Sequence, residues 1–366
     1  MTRARELAEL GSVYDNGPLS SRNLIINGGM QVWQRATAAT TVVTQKYQTV
    51  DRFFFYEDSD GSYTTEQSTG HRGDTGHDTA LKCVCTGTDT SLAATQFASV
   101  SHRIEAQNLQ HLKYGTSGAK TLTCSFWVRS SKTGIYSFSL AKNDSTAHYF
   151  VSEYTISAAD TWEHKTISIP VLTGSSITND NGVGFSIEWP LAYGSQFRTS
   201  TLDQWMTASD FASTNQVNWL DSTSNNWYLT GVQLEIGDTA TPFEHRSFGD
   251  EMARCQRYFC RTYPYGTATG DANSNSSVAS SSQASTAYMS AGTFRFPVEM
   301  RAAPTCVVYS TQNANTTGKV TSDGADGTGT ATFIGRTSTF LVRSNDSTGV
   351  SANTFLKAHA TAEAEL

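Results

Sequence analysis

The segment KTLTCSFWVRSS, Lys120 to Ser131, alternates apolar and polar side chains, with Trp127 as the exception. Successive side chains of a β-strand point to opposite faces, so every second residue shares a face. The segment therefore predicts a strand with one buried face, formed by Leu122, Cys124, Phe126 and Val128.

Further segments of five to ten residues read in the same way, and turn residues separate most of them. They are GIYSFSLAKN, HYFVSEYTIS, WEHKTISIPV, GVGFSIEW and NWYLTGVQLEIG. Many short strands with no helical periodicity between them predict an all-β sandwich or jelly roll. We assign this domain to residues 23–246.

The first 22 residues predict a short helix that serves attachment or oligomerisation. Leu7, Leu10 and Tyr14 recur at helical spacing, and Gly17-Pro18 ends the segment. A helix this short is marginal alone, so it packs either on copies of itself or on its own domain.

Residues 247–366 predict a connecting helix and a smaller C-terminal β domain. Ser247 caps the helix FGDEMARCQRYFCR, whose apolar stripe holds Met252, Cys255, Tyr258 and Phe259. Met252 and Tyr258 are candidates for a subunit interface. The Ser- and Asn-rich stretch Thr267 to Ala287 predicts a long loop, and strands resume at Tyr288.

Composition excludes several classes of function. The net charge is −7, and no run of Lys and Arg appears, which argues against nucleic acid. No apolar stretch approaches the roughly 20 residues of a membrane helix, and MTRARELAEL lacks the apolar core of a signal peptide. We therefore expect synthesis in a cytoplasm and no membrane insertion.

Catalytic and metal-binding motifs are not found, so we expect neither an enzyme nor a cofactor. The common hydrolase, metalloprotease, phosphate-loop and dinucleotide motifs are missing. A calcium loop at Glu57–Gly61 fails in register. HRGDTGHD, residues 71–78, could bind a metal but reads better as a solvated polar loop, and Cys83, Cys85, Cys255 and Cys260 read as buried free thiols.

The candidate ligand-binding residues are aromatic. Trp189, Tyr193 and Trp205 lie in EWPLAYGSQFRTSTLDQW, which has little strand periodicity and could form a loop at the sandwich edge. Sugar sites place aromatic faces against pyranose rings, although large aromatics are also commonly buried. Trp127 and Trp162 lie within predicted strands, so we expect them in the core.

Five segments together resemble a family of tailed-phage virion proteins, usually described as tail fibre or structural proteins. They are SSRNLIINGGMQVWQR, YQTVDRF, GAKTLTCSFWVRSSKTGIYSFSL, DTWEHKTISIP and GVQLEIGDTATPFEHRSFGDEMARCQRYF. The ending FRFPVEMRAAPT…HATAEAEL also resembles that family's C-terminal domain. The resemblance implies a virion component, commonly a homotrimeric fibre, whose β domains face the host envelope.

A second resemblance concerns the fold of the larger domain. NLIINGGMQVW and LTGVQLEIG are similar to the first and last strands of galactose-binding-like carbohydrate modules, where the two strands are neighbours.

Together these features predict a receptor-binding tail fibre protein in the virion. It would join other tail or baseplate proteins through its N-terminus and contact host cell-surface polysaccharide. The alternatives are a carbohydrate-binding module protein without a virion role, or a polysaccharide depolymerase, whose paired carboxylates could come from distant strands.

Overall fold

The computed structural model describes residues 21–43, 45–273, 275, 277–281, 289–322, 325–326, 331–333, 337–344 and 355–366. The helices are α1 (Arg72–Thr75), α2 (Phe248–Gln256) and short 3-10 turns at Ala106–Leu112, Ser195–Phe197 and Trp219–Asp221. The strands are β1 (Thr40–Val42), β2 (Phe53–Asp58), β3 (Ser62–Thr69), β4 (Thr79–Gly87), β5 (Phe97–Glu105), β6 (Leu122–Ser130), β7 (Gly134–Lys142), β8 (His148–Ile156), β9 (Glu163–Ile169), β10 (Val183–Tyr193), β11 (Arg198–Thr199), β12 (Trp205–Met206), β13 (Ala212–Ser213), β14 (Asn226–Ile236), β15 (Phe259–Arg261), β16 (Val278–Ser281), β17 (Met289–Arg295), β18 (Thr305–Tyr309), β19 (Thr321–Ser322), β20 (Ala325–Asp326), β21 (Ala331–Phe333), β22 (Thr339–Ser344) and β23 (Phe355–Glu363).

The described residues fall into two compact units. The first comprises residues up to Gln31, then Thr37–Ser247, and Leu366; the second comprises Val32–Ala36 and Phe248–Glu365. The helix predicted within residues 1–22, with Leu7, Leu10 and Tyr14, lies outside the described residues except for residues 21 and 22.

The first unit is a sandwich of two six-stranded antiparallel sheets, which confirms the predicted all-β class. The first sheet has the order β1-β3-β4-β14-β6-β9, and the second has the order β12-β8-β7-β10-β5-β2. Phe126 of the first sheet packs on Phe138 and Trp189 of the second, with ring centroids 6.2 and 5.8 Å apart. The core therefore lies between the sheets.

The chain enters and leaves this sandwich at adjacent places, as the carbohydrate-module resemblance predicts, although residues 23–33 do not form the predicted strand. The Leu24 amide donates to the Leu234 carbonyl, and the Val232 amide donates to the Gly28 carbonyl, both at 2.9 Å. A β-carbon at Gly28 would lie 2.0 Å from the Val232 oxygen, so this close approach requires glycine.

The TPFEHR block holds the entering segment to the exit. The Asn23 amide donates to Glu244 at 2.9 Å, and Arg246 donates to the Ile25 carbonyl at 3.0 Å. Residues 241–246, which follow the last strand of the sandwich, therefore hold the segment that precedes its first strand.

The second unit contains a sheet centred on β23 and a three-stranded sheet of β17, β22 and β21. Helix α2 is shorter than predicted, because residues 259–261 leave the helix and pair with β23 as a strand. The predicted loop at 267–287 is also partly wrong, since Val278–Ser281 pairs with β23.

Candidate functional site

The outer face of the second sheet, turned away from the sandwich core, is the candidate site. In β10, Ile187 and Trp189 are fully buried between the sheets, so Glu188 points the opposite way. Across the strands Glu188 is level with Ser101 of β5 and Ser139 of β7. Two hydroxyl side chains thus flank one carboxyl on this face.

Glu188 is held in a hydrogen-bonded network. The Tyr193 hydroxyl donates to its Oε2 at 2.7 Å and the Ser99 hydroxyl donates at 3.1 Å. The carboxyl is only 5% exposed, and burial raises the pKa of Glu188 above its usual range. The group is thereby biased toward its neutral form, in which it both donates and accepts hydrogen bonds.

Aromatic side chains cross this face from β2 to β8, and we call them the aromatic row. Its members are Phe54, Tyr56, Phe97, Tyr193, Phe197, Phe211 and Tyr149. Along the row the ring centroids lie 4.7 Å apart for Phe54–Tyr56, 5.9 Å for Tyr56–Phe97, 5.6 Å for Phe97–Tyr193, 6.1 Å for Tyr193–Phe211 and 5.4 Å for Phe211–Tyr149. Five of the seven rings are half-buried, the exceptions being the buried Phe54 and Tyr193.

Phe197 and Phe211 come from the segment 194–216, which lies on this face and is anchored to it. Glu153 of β8 accepts hydrogen bonds from Ser213 and, at 2.9 Å, from Asn215. Gln216 donates to the Pro190 carbonyl at 2.8 Å. These bonds fix the two rings against the sheet, so this part of the row is preorganised.

A positive charge lies at the β2 end of the row. Arg103 donates to the Tyr56 hydroxyl at 2.7 Å, and its guanidinium lies 4.5 Å from the centre of the Phe54 ring. The site therefore combines ring faces and edges with a cationic donor, three serine hydroxyls and a carboxyl.

The predicted ligand residues do not form the loop that the sequence suggested. Trp189 and Tyr193 belong to β10, and their side chains are 0% and 3% exposed. The loop interpretation is therefore wrong for both, because an eleven-residue strand continues through Trp-Pro-Leu-Ala-Tyr. Tyr193 is buried but contributes to the site, since it stacks on Phe97 and donates to Glu188, whereas Trp189 belongs to the core.

Trp205 lies apart from the aromatic row. It is half-buried in β12 at the edge of the second sheet, packs 5.9 Å from Phe150, and donates from its indole to the Pro170 carbonyl at 2.8 Å. Its contacts are those of a sheet-edge packing residue.

The proposed interface residues in the second unit have different environments. Met252 is half-buried, whereas Tyr258 is 1% exposed within its own chain. A side chain buried in this way has no surface to give to a partner subunit, so Tyr258 is a core residue of its unit.

Two further predictions concern residues 71–78 and the cysteines. Residues 71–78 form a mostly exposed polar loop, as predicted, except for two buried residues, Thr75 and His77. His77 is 5% exposed, with Phe243 4.5 Å away, and burial and neighbouring His245 lower the pKa of His77 to about 4. The four named cysteines are buried free thiols, as predicted.

Trp127 and Trp162 are also placed differently from the prediction. Both are half-buried on the outer side of the first sheet, not in the core. Trp127 pairs across strands with Thr230 and His164, because its neighbours Phe126 and Val128 occupy the buried face.

The contribution of β5 to the site is not among the sequence predictions. FASVSHRIE, residues 97–105, alternates so that Phe97, Ser99, Ser101 and Arg103 share the outer face. This alternation was the available signal, although it does not reveal which strand lies beside β10.

No family model and no curated protein sequence matches this chain. Among solved structures, a putative sugar binding protein from Bacteroides thetaiotaomicron is 11% identical with a TM-score of 0.33, covering 59% of this chain and 100% of that one. The family 11 carbohydrate-binding module of a Clostridium thermocellum cellulase is 13% identical with a TM-score of 0.29, covering 57% and 99%.

The enzymatically active domain of tailspike protein 4 from bacteriophage CBA120 is 12% identical with a TM-score of 0.31. That match covers 59% of this chain and 21% of the tailspike chain, so this chain spans about a fifth of its length. At such low TM-scores, none of these likenesses transfers a ligand or an activity to this chain. No helix in the described part of the chain has the length and apolarity to cross a membrane.

Proposed function

We propose that this protein binds a glycan chain on the outer face of the second sheet. The observation that carries the proposal is the aromatic row, which runs beside Glu188, Ser99 and Arg103. Pyranose rings present C–H faces that pack on aromatic rings, and their hydroxyls need fixed donors and acceptors nearby. On the outer face, the half-buried rings and the half-buried Arg103 are placed to make such contacts.

The length of the row favours an oligosaccharide over a single sugar. It extends from β2 through β5, β10 and β7 to β8, and four strand spacings amount to about 19 Å. Successive sugar residues would lie across the strands, over the half-buried rings.

We propose recognition without cleavage. Glycoside hydrolysis ordinarily uses two carboxyl groups about 5 to 9.5 Å apart. Glu188 is flanked by serines, and Glu153 on the same face holds the segment at 213–215.

Depolymerisation is the second candidate, and the observation that favours it is the raised pKa of Glu188, a property expected of a general acid. A reducing-end assay on a bound polysaccharide separates the two functions. New ends that disappear in Glu188→Gln would establish cleavage and contradict our proposal.

As the setting of this activity we propose the virion, with the protein as a homotrimeric tail fibre that contacts host surface polysaccharide. The support is the resemblance of the sequence blocks to phage fibre proteins. The N-terminal segment would attach the fibre to other tail proteins. Native mass spectrometry of the full chain at micromolar concentration should give a trimer, and a stable monomer would contradict this setting.

Glycan binding itself is tested with a panel of bacterial capsular and O-antigen polysaccharides and β-glucans. The full chain should bind at least one of them, and Phe97→Ala should weaken that binding. Phe248→Ala is the matched control, because Phe248 is 45% exposed and lies in the second unit. If both variants bind like the parent, the aromatic row is not the site.

A further inference from the structure

The outer face of the first sheet carries a cross-strand row of charged and aromatic side chains. Glu66 of β3 pairs with Lys82 of β4, Lys82 pairs with Tyr228 of β14, and Tyr228 pairs with Arg129 of β6. Trp227 and Leu229, on either side of Tyr228, are fully buried, so Tyr228 faces outward. Four adjacent strands thus place Tyr228 between two cations.

Trp162 and His71 complete an aromatic cluster around Tyr228. The Trp162 and Tyr228 rings are 6.0 Å apart, and His71 lies 5.2 Å from Trp162 and 6.1 Å from Tyr228. Ser68 Oγ lies 2.8 Å from His71 Nε2 and fixes that ring. The loop between β3 and β4 therefore places His71 beside Trp162, which directly precedes β9.

The charges of this cluster are already matched. Lys82 lies 2.6 Å from Glu66, and Arg129 lies 3.4 Å from Asp160. The Arg129 guanidinium also lies 5.1 Å from the centre of the Tyr228 ring. Since each cation has its own carboxylate, the cluster favours an uncharged ligand over an anion.

The cluster also has hydrogen-bonding capacity to spare. Within the described part of the chain, Trp162 Nε1 and Arg129 Nε are buried donors without a hydrogen-bond partner. Both atoms are shielded from solvent, so a ligand oxygen would satisfy them only after the Trp162 and Arg129 side chains shift.

We propose that this face holds a second saccharide site, centred on Trp162 and Tyr228, that takes one uncharged pyranose residue. The two rings are inclined at 67°, so the cluster is a compact group of rings rather than an extended platform. A single sugar fits this geometry, whereas the aromatic row on the second sheet suits a chain. This site does not depend on glycan binding at the aromatic row.

The test uses the full chain and saturation-transfer NMR with methyl β-D-galactopyranoside, methyl β-D-glucopyranoside and methyl β-D-glucuronide. We expect saturable binding of at least one neutral glycoside with a Kd on the order of 1–10 mM, and weaker binding of the charged glucuronide. Trp162→Ala should weaken binding by at least about tenfold. Trp162→Phe, which keeps a ring but removes the indole N–H, should have an affinity between those of the parent and Trp162→Ala.

Phe248→Ala is the control, since Phe248 is 45% exposed and lies in the second unit, and it should leave glycoside binding unchanged. Thermal unfolding of each variant shows whether it is folded. The proposal is overturned if no neutral glycoside saturates by about 50 mM, well above the expected Kd. It is equally overturned if folded Trp162→Ala binds like the parent, if glucuronide binds more tightly, or if Phe97→Ala alone abolishes binding.

Discussion

The two outer faces of the sandwich follow one rule of strand alternation but carry different chemistry. On the second sheet, a row of aromatic rings surrounds a buried carboxyl and small hydroxyl side chains. On the first sheet, Tyr228 lies between the cations Lys82 and Arg129 across the strands, and a compact cluster of rings surrounds it. On our proposals, the extended row of rings suits the second-sheet face to a glycan chain, whereas matched charges and a compact cluster suit the first-sheet face to a single sugar.

A change of pH should also change the stability contributions of the two faces in opposite directions. Glu188 has a raised pKa because it is buried, whereas His77, in the loop over the first sheet, has a pKa lowered to about 4 by burial and by His245. The raised pKa of Glu188 lowers stability as pH rises, whereas the lowered pKa of His77 lowers stability as pH falls.

The largest expected effect concerns the core that supports both faces. Trp189→Ala removes a fully buried indole that packs between Phe126 and Phe138. We expect the free energy of unfolding to fall by about 3–5 kcal/mol, measured by urea denaturation. If Trp189→Ala instead keeps the parental stability but loses glycan binding, Trp189 is a ligand-binding residue.

The next effect separates the two faces by ligand. Phe97→Ala combined with Phe211→Ala removes two half-buried rings of the aromatic row. Each aromatic contact contributes about 0.5–1.5 kcal/mol, so glycan-chain affinity should fall about 10- to 100-fold by calorimetry. Methyl glycoside binding at the first sheet should persist, and its parallel loss would show that the faces are not independent.

The pH dependence of stability sharpens the same contrast. Unfolded His77 binds a proton between its ordinary pKa of 6.5 and about 4, whereas folded His77 does not. Its contribution to stability is therefore complete above pH 6.5 and is lost as pH falls toward 4. His77→Gln should flatten this part of the profile of unfolding free energy against pH.

Glu188 contributes with the opposite sign. Its folded pKa lies above 4.5, so the folded state holds the proton more tightly and stability falls as pH rises above that value. Glu188→Gln should remove this loss while leaving the low-pH loss due to His77. An unchanged profile in Glu188→Gln would mean that the carboxyl is not buried as described.

The smallest effect is expected from a surface ion pair. Glu66 and Lys82 lie 2.6 Å apart with about a quarter of each side chain exposed. Glu66→Gln should change the free energy of unfolding by less than about 1 kcal/mol. It should, however, free Lys82 and raise the affinity of the first-sheet site for methyl β-D-glucuronide relative to the neutral glycosides.

The sequence predicts the strands of this fold better than the direction of their side chains. Regular alternation located β6, and the first and last segments of the sandwich proved to be neighbours. The predicted positions of three tryptophans are wrong. Trp189, a predicted ligand residue, is in the core, and Trp127 and Trp162, predicted in the core, are half-buried outside it. A strand with aromatics on both faces gives no local signal of which face is inward, because that depends on which sheet packs against it.

The candidate site could be only partly predicted, for a related reason. Tyr193 was selected, but Phe97, Phe211 and Tyr149 come from distant parts of the chain. Strand order brings them together, and alternation in one strand does not encode strand order. In the second unit, the end of the predicted helix became β15 because pairing with β23 outweighed helical periodicity at Tyr258 and Phe259.

The central claim is that a glycan chain occupies the aromatic row, and hydrogen–deuterium exchange of the full chain tests it most directly. The polysaccharide selected from the panel, cut to oligosaccharides, is added at saturating concentration. We predict slower exchange in β5 and in the segment 194–216. Protection confined to the first-sheet face or to the second unit would contradict the claim.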